Sequence, residues 1–232
     1  MGIKYRWYRI KMPPGVDLAR LLARKPLSDT ASFGFYKLDS DNSEIAFRFV
    51  WRTNVTVTRY DEDGEPQHEQ IQTFGILHFS LLSIARNAYM RIENPQRNLR
   101  DLMNAIESLS GFGFSCSPVT FKQIHPKSIF EYVDESKLVS LRVVGAVLGE
   151  DLVARMEFAS KKGISLRDIG LLKGHQYKLD VAVFDCVLKG VRGQLSISAG
   201  GTIRLRGPLT PRLLHFIQRE LPQLSKDADS QS

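Results

Sequence analysis

The chain repeats its own pattern. Arg91-Ile92-Glu93-Asn94-Pro95 runs directly into an amphipathic stretch, and so does Arg204-Leu205-Arg206-Gly207-Pro208, at an offset of 113 residues. Arg9-Ile10-Lys11 and Thr120-Phe121-Lys122 each precede a short helical stretch, at an offset of 111. A period this long means a copied subdomain, not a solenoid unit. It constrains the fold to two similar lobes. The reading places a first repeat at 1–111, a second at 112–224 and a polar, disordered tail at 225–232.

The pattern within each half alternates between two periods. Lys4–Met12 mixes aromatic and basic residues and reads as a strand until Pro13-Pro14-Gly15 breaks it. Asp17 caps a helix over 18–25, ended by Pro26. Glu44–Arg52 alternates strictly, with Ile45, Phe47, Phe49 and Trp51 on one side and Arg48 and Arg52 on the other. Further strands follow at 54–60, 71–82 and 87–92, separated by the acidic turn Asp61–Pro66. Arg97–Leu109 has helical periodicity and stops at Gly111. The second half reads strand 114–122, a helix opened by Pro126, strands at 139–147, 152–159, 177–188, 194–199 and 202–206, and a closing helix from Thr210. Gly149-Glu150 is a turn, Ile164–Leu172 a short helix or insertion, and Gly200-Gly201 a bulge or tight turn.

Strand, short helix, about four strands, longer helix, twice over, is similar to the fold of the TATA-binding protein. The resemblance spans residues 4–222 and lies in the order of elements. That family's intercalating phenylalanines and sheet asparagines have no assignable counterparts in this chain. It implies an α+β fold of internally duplicated β-α-β4-α units, forming a curved antiparallel sheet with helices on one face and a nucleic-acid partner, duplex DNA above all, on the other.

With helices on one face, alternation sends Arg48, Arg52, Arg91, Arg142 and Arg204 to the open face. Gln194, Ser196, Ser198 and Thr202 join them there. Arginines on such a face contact phosphates or a narrow minor groove. Their bland alternative is the solvated side of an antiparallel sheet. The Lys4–Lys11 stretch has a similar pair of readings, bases stacked on its rings or an edge strand guarded by its charges. The excess of 32 Lys+Arg over 25 Asp+Glu suits a phosphate partner without requiring one.

Enzymatic chemistry has little to stand on. Asp180 and Asp185 are five apart on one strand and face opposite sides. Asp134-Glu135-Ser136-Lys137 resembles a nuclease signature, but reads as a charged helix end. The five histidines have no zinc-ligand spacing. The glycine clusters match no P-loop or dinucleotide fingerprint, so no cofactor is expected. Gly190-Val191-Arg192-Gly193 and Ala199-Gly200-Gly201, beside Lys189, are similar to the RNA-binding loops of CRISPR repeat-processing proteins, though the strand count exceeds two ferredoxin-like units. Cys116 and Cys186 read as buried thiols of a reducing compartment. No apolar run spans a bilayer, the N-terminus lacks a signal-peptide core, and Arg6 occupies the Ser/Thr position of a myristoylation site. The expectation is an intracellular, non-enzymatic nucleic-acid binder or complex subunit. The alternative is a protein–protein assembly module.

Overall fold

The computed structural model describes residues 2–40, 43–121, 127–147, 152–165 and 169–224. The tail 225–232, Pro126 and the turn Gly149-Glu150 lie outside them. Along the chain come β1 (Ile3–Lys11), α1 (Leu18–Ala23), β2 (Phe33–Ser40), β3 (Glu44–Tyr60), β4 (Pro66–Ile84), β5 (Asn87–Glu93) and α2 (Arg100–Ser110). Then come β6 (Ser115–Pro118), α3 (Lys127–Phe130), β7 (Glu135–Val147), β8 (Val153–Ala159), β9 (Lys178–Leu188), β10 (Val191–Ser198), β11 (Thr202–Arg206) and α4 (Thr210–Leu224). Gly170–Leu172 forms only a single 3-10 turn.

The duplicated β-α-β4-α expectation is corrected here. Five strands, β7 to β11, separate α3 from α4, so the second half is not a copy of the first. Their spatial order, β11-β10-β9-β7-β8, leaves β8 outside β7 in place of a simple meander. The protein is mostly antiparallel sheet, 52% strand against 18% helix. α1 is only six residues long and α3 only four. The element order behind the likeness to the TATA-binding protein does not hold. The local match between halves around Arg91 and Arg204 reflects two strand-to-helix corners.

Two compact units interleave along the chain: a C-terminal unit of residues 1–8, 84–87 and 117–232, and an N-terminal unit of 9–83 and 88–116. In the N-terminal unit the order is β2-β3-β4-β5. Phe35 lies opposite Phe49, and Phe47 opposite Phe79. Directly opposite residues share a face, so the rings pack together, with centroids 5.0 Å and 5.6 Å apart in those pairs. α1 begins where Asp17 accepts the Arg20 N–H at 3.1 Å, and it buries Leu18 and Leu22. α2 starts later than its periodicity suggests. Asn98 accepts the Arg100 N–H at 2.9 Å, which closes a turn before the helix. Gly111, at φ 77°, ends it as expected.

β3 and β4 pair from Glu44–Leu82 all the way to Tyr60–Pro66. β2 reaches β3 only as far as Trp51, and β5 is seven residues long against nineteen in β4. Beyond Arg52 and Phe74 the pair continues as a two-stranded ribbon about 25 Å long at the usual rise per residue, exposed along most of its length. Asp61 fastens its tip by accepting the N–H groups of Asp63 and Glu65 at 3.1 and 2.8 Å. These bonds, with one from Gln67, hold its carboxyl below the usual range.

In the C-terminal unit Leu195 and Ile197 of β10 and Ile203 and Leu205 of β11 are buried. α4 packs on these strands with Leu213, Ile217 and Leu221. Each such side chain contributes about 1.5–3 kcal/mol of transfer free energy. Gly193 permits the segment leading into α4 to pack close, because a Cβ there would lie 2.6 Å from the Cβ of Leu209.

Candidate functional site

The face of the C-terminal sheet opposite α4 follows from register. Lys4, Arg204, Ser196, Val183 and Ser140 lie in one cross-strand row over β1, β11, β10, β9 and β7. Arg206, Gln194, Asp185 and Lys137 form the next. These side chains are exposed or half-buried, whereas their chain neighbours on β9 to β11, Gly193 and Gly207 apart, are buried. That is the alternation of an antiparallel sheet with one solvated face. Thr202 extends the face opposite Arg6.

The second row opens into a cleft of about 700 Å³. Lys137, Lys161, Arg192 and Arg206 line it, against Glu135 and Asp185. The turn at 160–164 supplies Lys161. Its backbone bonds to β7 through Ser160 N–H to Val139 O and Ile164 N–H to Leu138 O. Lys137 donates to the Lys161 carbonyl at 2.5 Å. Gln194 donates to Asp185 at 3.0 Å, tying up part of the cleft's negative charge. The balance left over is positive, and its donors are ammonium and guanidinium groups, which suit an anion.

Of the six residues expected to read a nucleic acid, three share this face: Arg142, Gln194 and Arg204. Arg204 has no ion-pair partner among the described residues. Arg142 is partly committed, its Nε donating to Asp180 at 2.7 Å. The other three belong to the N-terminal unit and serve its packing. Arg48 lies half-buried over the Tyr36 ring at 5.1 Å. Arg52 ties down the preceding loop by donating to the carbonyls of Ala31 and Asp29 at 3.1 and 3.0 Å. Arg91 is corrected most clearly. It is 5% exposed and donates to Glu44 through two nitrogens, at 3.0 and 2.6 Å. A guanidinium so enclosed is unavailable to a phosphate.

Sequence reasoning missed Lys4, Lys137, Lys161, Arg192 and Arg206 as a group. Arg206 carried a signal, because it continues the alternation Thr202, Arg204. Lys137 and Lys161 carried none. They meet through a turn 24 residues apart in sequence. Glu135 and Lys137 lie at the start of β7, not at a helix end. Among the described residues no three His, Cys, Asp or Glu side chains are grouped to hold a metal ion, and no helix is long and apolar enough to cross a membrane.

No family model matches the chain, and no curated protein matches it. Among solved structures it is similar to the crystal structure of DynU16, from the dynemicin biosynthetic locus, with 10% identity over 92% of this chain and 94% of that one. The TM-score is 0.17, which carries no argument about fold or function.

Proposed function

We propose that the C-terminal unit binds the phosphate backbone of a double-stranded nucleic acid on this open face. The observation that carries the reading is the row from Arg206 and Gln194 into the four-cation cleft, flanked by Lys4 and Arg204. Single-strand binding draws on exposed rings that stack with bases. On this face the ring of matching parity in β1, Tyr8, is buried. Cations and hydroxyls without rings favour backbone contacts, which position a duplex and carry no sequence information.

The test is fluorescence anisotropy with labelled duplex DNA, single-stranded DNA and RNA over a salt series. Arg204→Ala with Arg206→Ala lowers duplex affinity and reduces the slope of log K against log salt by about 1 per lost phosphate contact. Equal slopes for the variant and the parent, or no duplex binding at low salt, would refute the reading. A protein partner is the second reading. In its favour are Val55 and Ile71, which face each other in the distal ribbon and are 46% and 38% exposed. Salt-insensitive association with a protein, lost on Val55→Ser with Ile71→Ser, distinguishes it.

A further inference from the structure

The N-terminal unit has a groove of about 350 Å³ between β2–β3 and α2, sharing no residue with the basic cleft. Its floor is aromatic. Phe33 and Trp51 face each other across the β2–β3 ladder. Phe49 stacks on Trp51, with centroids 5.0 Å apart and planes at 17°. The indole lies across β4 because its partner there is Gly75. A Cβ at that glycine would stand 2.2 Å from the indole carbons.

The rim is polar and comes from α2. Asp101, Asn104 and Ser108 follow the spacing of one helix face and line the groove. The Ser108 hydroxyl donates to Ala105 O at 2.8 Å. Asp101 and Asn104 are exposed, and neither side chain has a hydrogen-bond partner among the described residues. An aromatic pocket of this size with a few convergent polar groups is the usual form of a small-molecule site.

The chemistry of the lining narrows the ligand. Ring faces reward a flat aromatic guest. Arg52 lines the groove as well, so a cation is already beside it and an organic ammonium is disfavoured. An ionised Asp101 only accepts hydrogen bonds, while the Asn104 amide both donates and accepts. The guest therefore needs N–H donors beside an acceptor on one edge of a planar ring. We propose that this groove binds a nucleobase, and guanine best, with the base on Trp51, its N1–H and N2–H donors on Asp101, and O6 toward the Asn104 amide. The base comes from a free nucleotide or from an unpaired position in a strand.

Tryptophan fluorescence tests this directly. Trp7 is 0% exposed, so ligand-dependent quenching reports Trp51. Guanosine monophosphate, the three other common ribonucleotides and a short RNA with one guanine serve as probes. The expected result is saturable quenching by the guanine probes, at least tenfold weaker for the others. Asp101→Asn, at an exposed position, reduces guanine affinity at least tenfold with an unchanged melting temperature. Calorimetry on Trp51→Phe shows the same loss without relying on fluorescence. Tighter binding of the RNA assigns the source to a strand, and equal binding assigns it to the free nucleotide. No saturable quenching up to millimolar guanosine monophosphate, or undiminished binding by Asp101→Asn, overturns the proposal. Arg204→Ala with Arg206→Ala leaves this binding intact, so failure here is separable from failure of the backbone reading.

Discussion

Glu44 and Arg91 are 47 residues apart in sequence and form a fork-to-fork pair. Removing either partner breaks the same bonds, but the survivors are left in different surroundings. The Arg91 side chain is 6% exposed and that of Glu44 24%. After Glu44→Ala the guanidinium stays enclosed, with Ser80 at 3.1 Å and Glu93 at 3.4 Å still among its acceptors. Stranding a buried charge costs about 3–5 kcal/mol, and Glu93 holds this case near 3. After Arg91→Met the site is filled by an apolar chain and Glu44 turns toward water. Because the surviving Glu44 side chain already reaches water, its loss of partner costs only what a partly exposed pair contributes, about 1 kcal/mol. The expected difference is therefore about 2 kcal/mol between two variants that delete the same contact. Urea unfolding measures it, as midpoints at constant m value. Equal losses from the two variants, or a loss below about 1 kcal/mol for Glu44→Ala, would refute the burial argument. Arg91→Met also leaves duplex binding and its salt slope unchanged, whereas a phosphate-contacting Arg91 would lower both.

Burial pushes the Cys116 thiol up to about 12, and burial followed by Asp185 pushes Cys186 up to about 11. In the unfolded chain both ionise near 9. Above that pH the unfolded state has lost protons that the folded state keeps, so stability falls as pH rises from about 9. Urea midpoints from pH 7 to 10.5 show the fall, and Cys116→Ala with Cys186→Ala flattens it. Tyr132 donates to the buried Glu220 at 3.0 Å, the bond that chiefly raises its own pKa. Tyr132→Phe leaves that carboxylate without this donor and costs about 1–3 kcal/mol in chemical denaturation. Adding Glu220→Gln recovers part of the loss.

What was legible in the sequence is local. The Glu44–Arg52 alternation identifies a strand and puts Phe47 and Phe49 in the core, because pleat periodicity needs no knowledge of the partner. Asp17 and Gly111 mark helix ends through short-range hydrogen bonds and backbone conformation. Arg204 reaches the open face by the same alternation between buried Ile203 and Leu205. What failed is non-local. An arginine on a strand reads as solvated until the fold brings Glu44 beside it, and nothing near Arg91 announces that carboxylate. Arg142 meets Asp180 from 38 residues away. β8 was legible as the strand 152–159, joined to the strand before it by a turn. That β9 then pairs with β7 and leaves β8 outside is something no local pattern encodes. The cleft needs β7, β9, β10, β11 and the 160–164 turn together, so its four cations were scattered charges until register gathered them.

The ribbon formed by the far ends of β3 and β4 gives the molecule a gradient of persistence. Residues 45–51 have a neighbouring strand on both sides and Phe47 and Phe49 beneath. Among the described residues, 53–60 have only their hairpin mate for strand pairing, and a lone two-stranded hairpin is marginal in water. Opening the far end exposes little apolar surface, so it costs a small part of the global unfolding free energy. Amide protons there exchange with deuterium by local fraying, far faster than those a few residues away on the same strand. The acidic tip and Pro66 discourage another chain from zipping onto the bare edges. The same strand thus serves as rigid core at one end and as a separately melting extension at the other.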